Sequence, residues 1–393
     1  MKSPIPFLLV VLTLYGGMHL YVLLRLRKAF ALGAAVTTVT AAVMVLFIFA
    51  PILVKVLENE GQKTVALATA FAGYTWMGFI FLLFSLLIAF DLVRWITLAA
   101  GVTPQFFTIH RAAILSLLLA SILSAWGWYE ARNVGAANIT IETEKLSPGI
   151  DRFRIVQISD VHLGLMLGEE RLEPIIRLIK EADPDLLVST GDLVDGQMDS
   201  IAGSALLFRE IEPPHGKLAV KGNHEFFAGV RISEAFHEKA GFRLLRGERE
   251  SILDGAIVVA GVDDPAGKDI SPLIMPRMFR HAGEEEAILS AVEKEAFRIL
   301  LKHQPTVETG LFDLQLSGHT HKGQIAPFNL VVRLFYRYTS GLHSLPGGGH
   351  LYVSRGAGTW GPPMRVLSPP EVVVIDLVNP DGVKSLNLTL EKR

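Results

Sequence analysis

The 393-residue chain has no cysteine, which excludes disulfides, iron–sulfur clusters and thiolate metal sites; any metal must be held by nitrogen and oxygen. It also lacks a dominant charge. With 37 Lys+Arg against 39 Asp+Glu the formal charge is -2, so no basic field exists to grip a polynucleotide, and a nucleic-acid partner is not expected. Charge is missing locally as well: Ile5 to Leu24, Ala29 to Val54, Thr64 to Phe90 and Ala112 to Tyr129 each run without an Asp, Glu, Lys or Arg. About 20 apolar residues suffice for a helix to cross the hydrocarbon layer, so these runs predict an all-α bundle of four transmembrane helices over residues 1–130.

Trp95, Trp126, Trp128 and Tyr129 fall near span ends, where amphipathic rings favour the headgroup region, although helix packing would use them equally well. A secretory signal peptide is the alternative for the first run, but repeated long spans favour a retained bundle. His19 and Tyr15 inside the first span would mark a transport path only if they were not simply packed and hydrogen-bonded. The flanking cations split evenly. Arg25, Arg27, Lys28, Arg94 and Arg111 lie on one side, and Lys2, Lys55, Lys63, Arg132 and Lys145 on the other. Only the density of the Arg25 to Lys28 cluster tilts the first loop toward the cytoplasm, giving a multi-pass cell-membrane protein with its C-terminal domain outside.

From about Asn138 short β-branched runs alternate with amphipathic stretches, which is an α/β signature over residues 138–393. The expected strands are Ile139 to Thr143, Phe153 to Ser159, Leu186 to Thr190, Leu218 to Lys221, Ala256 to Ala260, Phe297 to Lys302, Leu314 to Ser317, Leu351 to Ser354 and Val372 to Leu377. Expected helices cover Glu169 to Ala182, Ile201 to Ile211, Ser233 to Ala240 and Glu284 to Ala296. Metal-capable residues sit at the carboxyl ends of these strands: Asp160 and His162, Asp192, Asn223 and His224, His303, then His319 and His321. Ligands of open α/β sheets gather in the crevice beyond those ends, so residues distant in sequence can converge there. An isolated Asp-x-His carries little weight. Gly222-Asn223-His224-Glu225 and Gly318-His319-Thr320-His321 carry more, because small residues let the backbone turn tightly while two polar side chains enter one site.

Together with Asp160-Val161-His162, Gly191-Asp192-Leu193-Val194-Asp195 and His303, these segments resemble the calcineurin-like metallophosphoesterases, from roughly Asn138 to the C-terminus. Tyr352-Val353-Ser354-Arg355-Gly356 and Pro369-Pro370-Glu371 are similar to the membrane-associated bacterial branch. The resemblance implies a four-layer α/β sandwich with a dinuclear site. Asp160, His162 and His321 would bind one ion, Asn223, His303 and His319 the other, and Asp192 both. Mn²⁺ is the favoured ion, with Fe or Zn as alternatives.

Two cations about 3.5 to 4 Å apart can lower the pKa of a shared water and neutralise a phosphate oxygen during in-line attack. The nucleophile is then a hydroxide, not a side chain. The resemblance leaves His224 without a metal, free to protonate the leaving oxygen. Asp195 would hold its imidazole in the right tautomer; taken alone it would pass for a turn residue.

Phosphoprotein phosphatases of the superfamily usually carry Arg where this chain has Gly196, which argues against a phosphoprotein substrate. Lys322 could meet an anionic substrate or be a solvated loop charge, and Arg365 is a candidate phosphate contact. The segment Pro327 to Leu345 mixes Phe328, Leu330, Leu334, Phe335, Tyr336 and Tyr338 with Arg333 and Arg337, a composition suited to a headgroup interface or to a buried hairpin. The expected activity is hydrolysis of a phosphodiester or phosphomonoester, with a lipid-linked or headgroup substrate favoured. The competing reading is a transporter or receptor carrying a regulatory phosphoesterase-like domain.

Overall fold

The computed structural model describes residues 5–101, 108–147, 149–195, 202–267 and 282–380. Five helices come first: α1 (Ile5–Phe30), α2 (Ala34–Ile48), α3 (Ala50–Asn59), α4 (Lys63–Ala99) and α5 (Ile109–Glu130). Three stretches are long and apolar enough to cross a membrane: Leu9–Phe30, the 37-residue α4 and the 22-residue α5. The second expected span is broken. It is split into α2 and α3, bent by 46° at Phe49, and counts as a fourth crossing only if the pair is taken together. Pro51 in the first turn of α3 explains the break, since proline can start a helix but cannot donate to the preceding turn.

Val22, Ile80, Leu83 and Ala120 are buried inside the bundle, while Leu14, Leu46, Trp95 and Ile122 are exposed on its outside, the pattern of helices solvated by lipid. His19 is buried, with Nδ1 on the Tyr15 carbonyl at 2.8 Å and Nε2 accepting from Trp76 at 2.9 Å, so it is a packed, hydrogen-bonded residue. Toward the other end of α1, Arg25 pairs with Asp91, which also accepts from the Tyr21 hydroxyl at 2.6 Å.

The remaining strands are β1 (Gly135–Glu142), β2 (Arg152–Ile158), β3 (Leu186–Ser189), β4 (Lys217–Ala219), β5 (Arg243–Leu244), β6 (Glu248–Ile252), β7 (Ile257–Gly261), β8 (Phe297–Leu301), β9 (Leu314–Ser317), β10 (Gly341–Ser344), β11 (His350–Val353) and β12 (Glu371–Val378). The helices between them are α6 (Glu169–Ala182), α7 (Ala202–Arg209), α8 (Asn223–Ala228), α9 (Val230–Ala240), α10 (Ala282–Leu289) and α11 (Phe328–Phe335). Two six-stranded mixed sheets result, ordered β1-β12-β2-β3-β4-β5 and β10-β11-β9-β8-β7-β6. Within them β2-β3-β4 and β7-β8-β9-β11 are parallel.

Successive residues of a strand face opposite ways, and the core divides accordingly. Ile155, Val188, Val259, Ile299, Leu316 and Ile375 fill the space between the sheets. Val156, Ile158 and Leu187 face outward onto Ile175 and Ile179 of α6, Phe208 of α7 and Phe236 of α9. Behind the second sheet, Ala260 and Leu300 pack on Leu289 of α10. The result is helix, sheet, sheet, helix. The last expected helix is shorter than its sequence span, ending at Leu289 rather than Ala296, and β5, β6, β10, α8 and α11 are additional.

The bundle and the sheets meet at two glycines. A Cβ on Gly78 of α4 would lie 2.6 Å from the Met364 sulfur, and one on Gly127 of α5 would lie 2.9 Å from Val366 Cγ2 and 3.0 Å from the Arg365 carbonyl oxygen. The Arg365 amide donates to the Gly127 carbonyl at 2.9 Å, and Met364, Val366 and Ile325 belong to the apolar cluster of the bundle. Gly127→Val should therefore lift the 364–366 loop and cost about 1–3 kcal/mol by overpacking. Thermal unfolding in detergent should show a lower midpoint; an unchanged midpoint would mean that the loop does not depend on this notch.

Candidate metal centre

All the metal-capable residues predicted from sequence follow strand ends or open a helix. Asp160 and His162 follow β2, Asp192 follows β3, Asn223 and His224 begin α8, His303 follows β8, and His319 and His321 follow β9. Asp160, His162, Asp192, His319 and His321 have φ of 52°, 54°, 53°, 70° and 47°, a left-handed region that costs a non-glycine residue roughly 1–3 kcal/mol.

Cross-loop hydrogen bonds hold these conformations. The Asp160 amide donates to Gly191 O and the His162 amide to Asp192 O, both at 3.0 Å, and the His319 amide donates to both Asp160 carboxylate oxygens at 3.0 Å. Ser159 Oγ donates to Asp160 Oδ2 at 2.5 Å. Gly222 must stay small, because a Cβ there would run into the Asp192 carboxylate.

Three groups of potential ligands converge, each with its donor atoms within 4.8 Å of one another: Asp160, His162 and His321; His162, Asp192 and His224; and Asp192, His303 and His319. Asp192 belongs to two of them. His162 Nε2 and His321 Nε2 face each other at 3.1 Å, as do His319 Nδ1 and His303 Nε2. His321 Nε2 is 3.3 Å from Asp160 Oδ1, and His303 Nε2 is 3.1 Å from Asp192 Oδ2. Asn223 Oδ1 is buried and has no hydrogen-bond partner. His224 donates its amide to Asp192 Oδ1 at 2.9 Å, while its Nδ1 lies 2.9 Å from Asp195 Oδ1.

Burial opposes ionisation of Asp160, but His321, His303 and His162 outweigh it and hold the carboxyl well below its usual range. The same contest, decided by His303 and His224, keeps Asp192 low. Burial also resists charge on Asp195, and hydrogen bonds to His162 and His224 overcome it. Burial pushes His319 down to about 3 and His321 down to about 4. His224 goes the other way: despite burial, Asp192 and Asp195 raise it to about 9.

The ionised carboxylates of Asp160 and Asp192 and the neutral imidazoles of His319 and His321 are the protonation states that metal ligands require, whereas at His303 burial is outweighed by Asp192 and Asp160, which favour a proton that a cation would have to displace. Inward-facing ring nitrogens, an orphaned amide oxygen and a donor set of nitrogen and oxygen fit divalent cations.

Two side chains given no role or a different one from sequence organise the site. Glu225 is fully buried and accepts from four backbone amides: Asp192 at 2.9 Å, Leu193 at 2.7 Å, Val194 at 3.2 Å and Gly222 at 2.7 Å. Its sequence signal is a glutamate at the third position of α8, where its side chain reaches back to the amide of the N-cap residue Gly222, one half of a capping box. Arg365, one candidate for a phosphate contact, is fully buried. It donates to Gly358 O at 2.8 Å, Arg355 O at 2.8 Å and Ser368 O at 3.1 Å, and its Nη2 lies 3.1 Å from His321 Nδ1.

Glu371 joins the two segments noted for the bacterial branch, pairing with Arg355 and accepting from the Tyr352 hydroxyl at 3.1 Å. The exposed rings of Trp360 and Phe227 flank His224, with centroids at 5.7 and 5.6 Å. Gly196 lies outside the described residues.

The two mixed sheets and the nitrogen and oxygen donors converging at their strand ends define a candidate metal centre, and comparison with known proteins names the family. Residues 153–323 match the calcineurin-like phosphoesterases. An uncharacterized metallophosphoesterase of Aquifex aeolicus is 40% identical over 265 residues, covering 66% of this chain and 98% of that protein. One from Campylobacter jejuni is 27% identical over 385 residues, 94% of this chain and 98% of the relative. A transmembrane protein with metallophosphoesterase domain from Danio rerio is 29% identical over 283 residues, 68% and 63% of the respective chains. The chain belongs to the calcineurin-like phosphoesterases.

Glu225→Gln should turn amide protons toward backbone N–H groups that now share a carboxylate. The expected cost is about 2–3 kcal/mol of stability, together with reduced metal content. Thermal unfolding and elemental analysis of the purified variant check both. Wild-type values for each would show that Glu225 does not hold the strand-end loops.

Proposed function

We propose that this chain is a membrane-anchored phosphoesterase that hydrolyses a phosphodiester or phosphomonoester at two divalent ions, with Mn²⁺ favoured and a lipid-linked or headgroup substrate preferred. One observation carries it: the Asp192 carboxylate lies between His303, 3.1 Å away in the group with His319, and His162, 3.9 Å away in the group with Asp160 and His321, and the His224–Asp195 pair stands beside it. In this assignment Asp160, His162 and His321 hold one ion, Asn223, His303 and His319 hold the other, and Asp192 serves both. Two such ions supply Lewis acidity, which lowers the pKa of a water and offsets the charge of the phosphate oxygens.

The chain's own residues do the rest. Asp195, 2.9 Å from His224 Nδ1, fixes the imidazole so that Nε2 carries the proton for the leaving oxygen. The Asp195 carboxylate, hydrogen-bonded at Nδ1, favours the protonated imidazole. Trp360 and Phe227 flank the ring edge-on and restrict its orientation. A bilayer substrate is supported by the three candidate spans and by the short connection from Glu130 at the end of α5 to Gly135 at the start of β1. If the Arg25 to Lys28 loop is cytoplasmic and α2 with α3 makes one crossing, the catalytic side faces outward.

His224→Asn should retain the metals and lose about 10² to 10⁴ in rate, roughly 2.7 to 5.5 kcal/mol of barrier. Turnover of alkyl and p-nitrophenyl esters by the purified full chain tests this. The loss should be greatest for the poorer leaving group, and an equal loss on both would contradict the acid role.

A further inference from the structure

We infer that α11 lies in the headgroup layer of the membrane crossed by the N-terminal helices, apolar side toward the lipid, and presses the mouth of the metal centre against the bilayer. The inference rests on the membrane-anchored reading above and extends it to a named surface. The segment Pro327 to Leu345 does not fold back as a buried hairpin. It begins as an eight-residue helix in which no residue is buried.

Leu334 is 81% exposed, more than any apolar side chain of the bundle among the described residues, and Leu330 is 59% exposed. Val331, Phe335 and Phe328 are exposed too. Leu330, Val331 and Leu334 form one stripe at helical spacing, while Asn329 and Val332 turn partly toward the protein body. So short a helix has little stability of its own, and water does not favour such a continuous apolar stripe.

Its surroundings indicate what covers it. The Phe328 ring meets Phe81 of α4 edge-on with centroids 6.1 Å apart, so the stripe continues the apolar surface of a candidate span. Phe81 lies about one turn from Gly78, where Met364 docks; Gly127, where Val366 docks, is close to the end of α5. These contacts mark the level at which the bundle meets the sheets. The uncharged run of α5, Ala112 to Tyr129, ends within a turn of Gly127, so this level is one boundary of the hydrocarbon layer.

That registration places α11 at the headgroup boundary. The exposed Arg333 and Arg337 suit lipid phosphates there. Leu367, 69% exposed directly after the docking loop, extends the same apolar rim. At the end of α11 the Tyr336 hydroxyl lies 2.8 Å from His319 Nε2, so a helix resting on lipid is fastened to the site itself.

The absence of native cysteine makes the test direct. Single variants Val331→Cys and Leu334→Cys of the full chain, carrying a nitroxide, are reconstituted in phosphatidylethanolamine–phosphatidylglycerol vesicles. Relaxation by oxygen, which partitions into lipid, is compared with relaxation by an aqueous nickel chelate. Ile122→Cys on α5 serves as the lipid reference and Glu238→Cys on α9 as the aqueous one. Oxygen should dominate at 331 and 334, at least twofold over the Glu238 reference. Values equal to that reference would overturn the inference. So would a label shielded from both agents or broadened by a second label, which would indicate a protein partner or a second copy.

Separately, Leu330→Ser with Leu334→Ser should lower turnover of a vesicle-borne phospholipid ester at least tenfold and leave bis-(p-nitrophenyl) phosphate unaffected. Equal losses would remove the role in presentation. If the wild-type protein turned over neither ester, the phosphoesterase reading would fail while the depth measurement still stood.

Discussion

A carboxylate taken out of water must find compensating positive charge or hydrogen bonds, and Asp192 is where this constraint falls hardest. Its backbone amide is held by Glu225, its carbonyl accepts from the His162 amide, and one carboxylate oxygen accepts from the His224 amide. Its other oxygen faces His303 at 3.1 Å. One residue, through its main chain and its carboxylate, thereby ties together the loops after β2, β3, β4 and β8. The left-handed backbone at Asp160, His162, Asp192, His319 and His321 persists because these cross-loop bonds over-determine it.

The Gly318-His319-Thr320-His321 turn is supported from outside the site at both of its histidines. Behind His321 stands Arg365, whose own amide is bonded to Gly127 of α5 and whose neighbours Met364 and Val366 pack into the bundle. Behind His319 stands Tyr336, at the end of the helix whose first residue, Phe328, meets Phe81 of α4. Two independent chains of contact therefore run from the N-terminal helices to imidazoles of the centre. The bundle does more than tether the sheets at a distance; it forms part of the surface against which the ligand loops are set.

Much of this was legible in the sequence, for definite reasons. Uncharged runs of membrane length have few other uses, and metal-capable residues at the ends of successive apolar strands rarely gather there except to share one site. Other features depend on geometry that composition does not carry. The break at Phe49 adds no charge to its run, and only Pro51 hints at it. Glu225 looks like a surface acid until its four amide partners are seen. Arg365 has the chemistry of a phosphate contact, and only burial shows it facing main-chain carbonyls and His321. The aromatic and cationic residues after Pro327 suited a hairpin as well as an interface, and α11 resolves the first part of that segment as a helix with no buried residue.

Metal content measured on the wild-type chain and on Asp192→Ala tests the account most directly. If Asp192 serves both ions, as proposed, neither is adequately held when it is removed. Elemental analysis after exposure to Mn²⁺ and gel filtration should give two equivalents for the wild type and close to none for the variant, with activity lost. A variant that kept close to two equivalents and turned over substrate at the wild-type rate would contradict it.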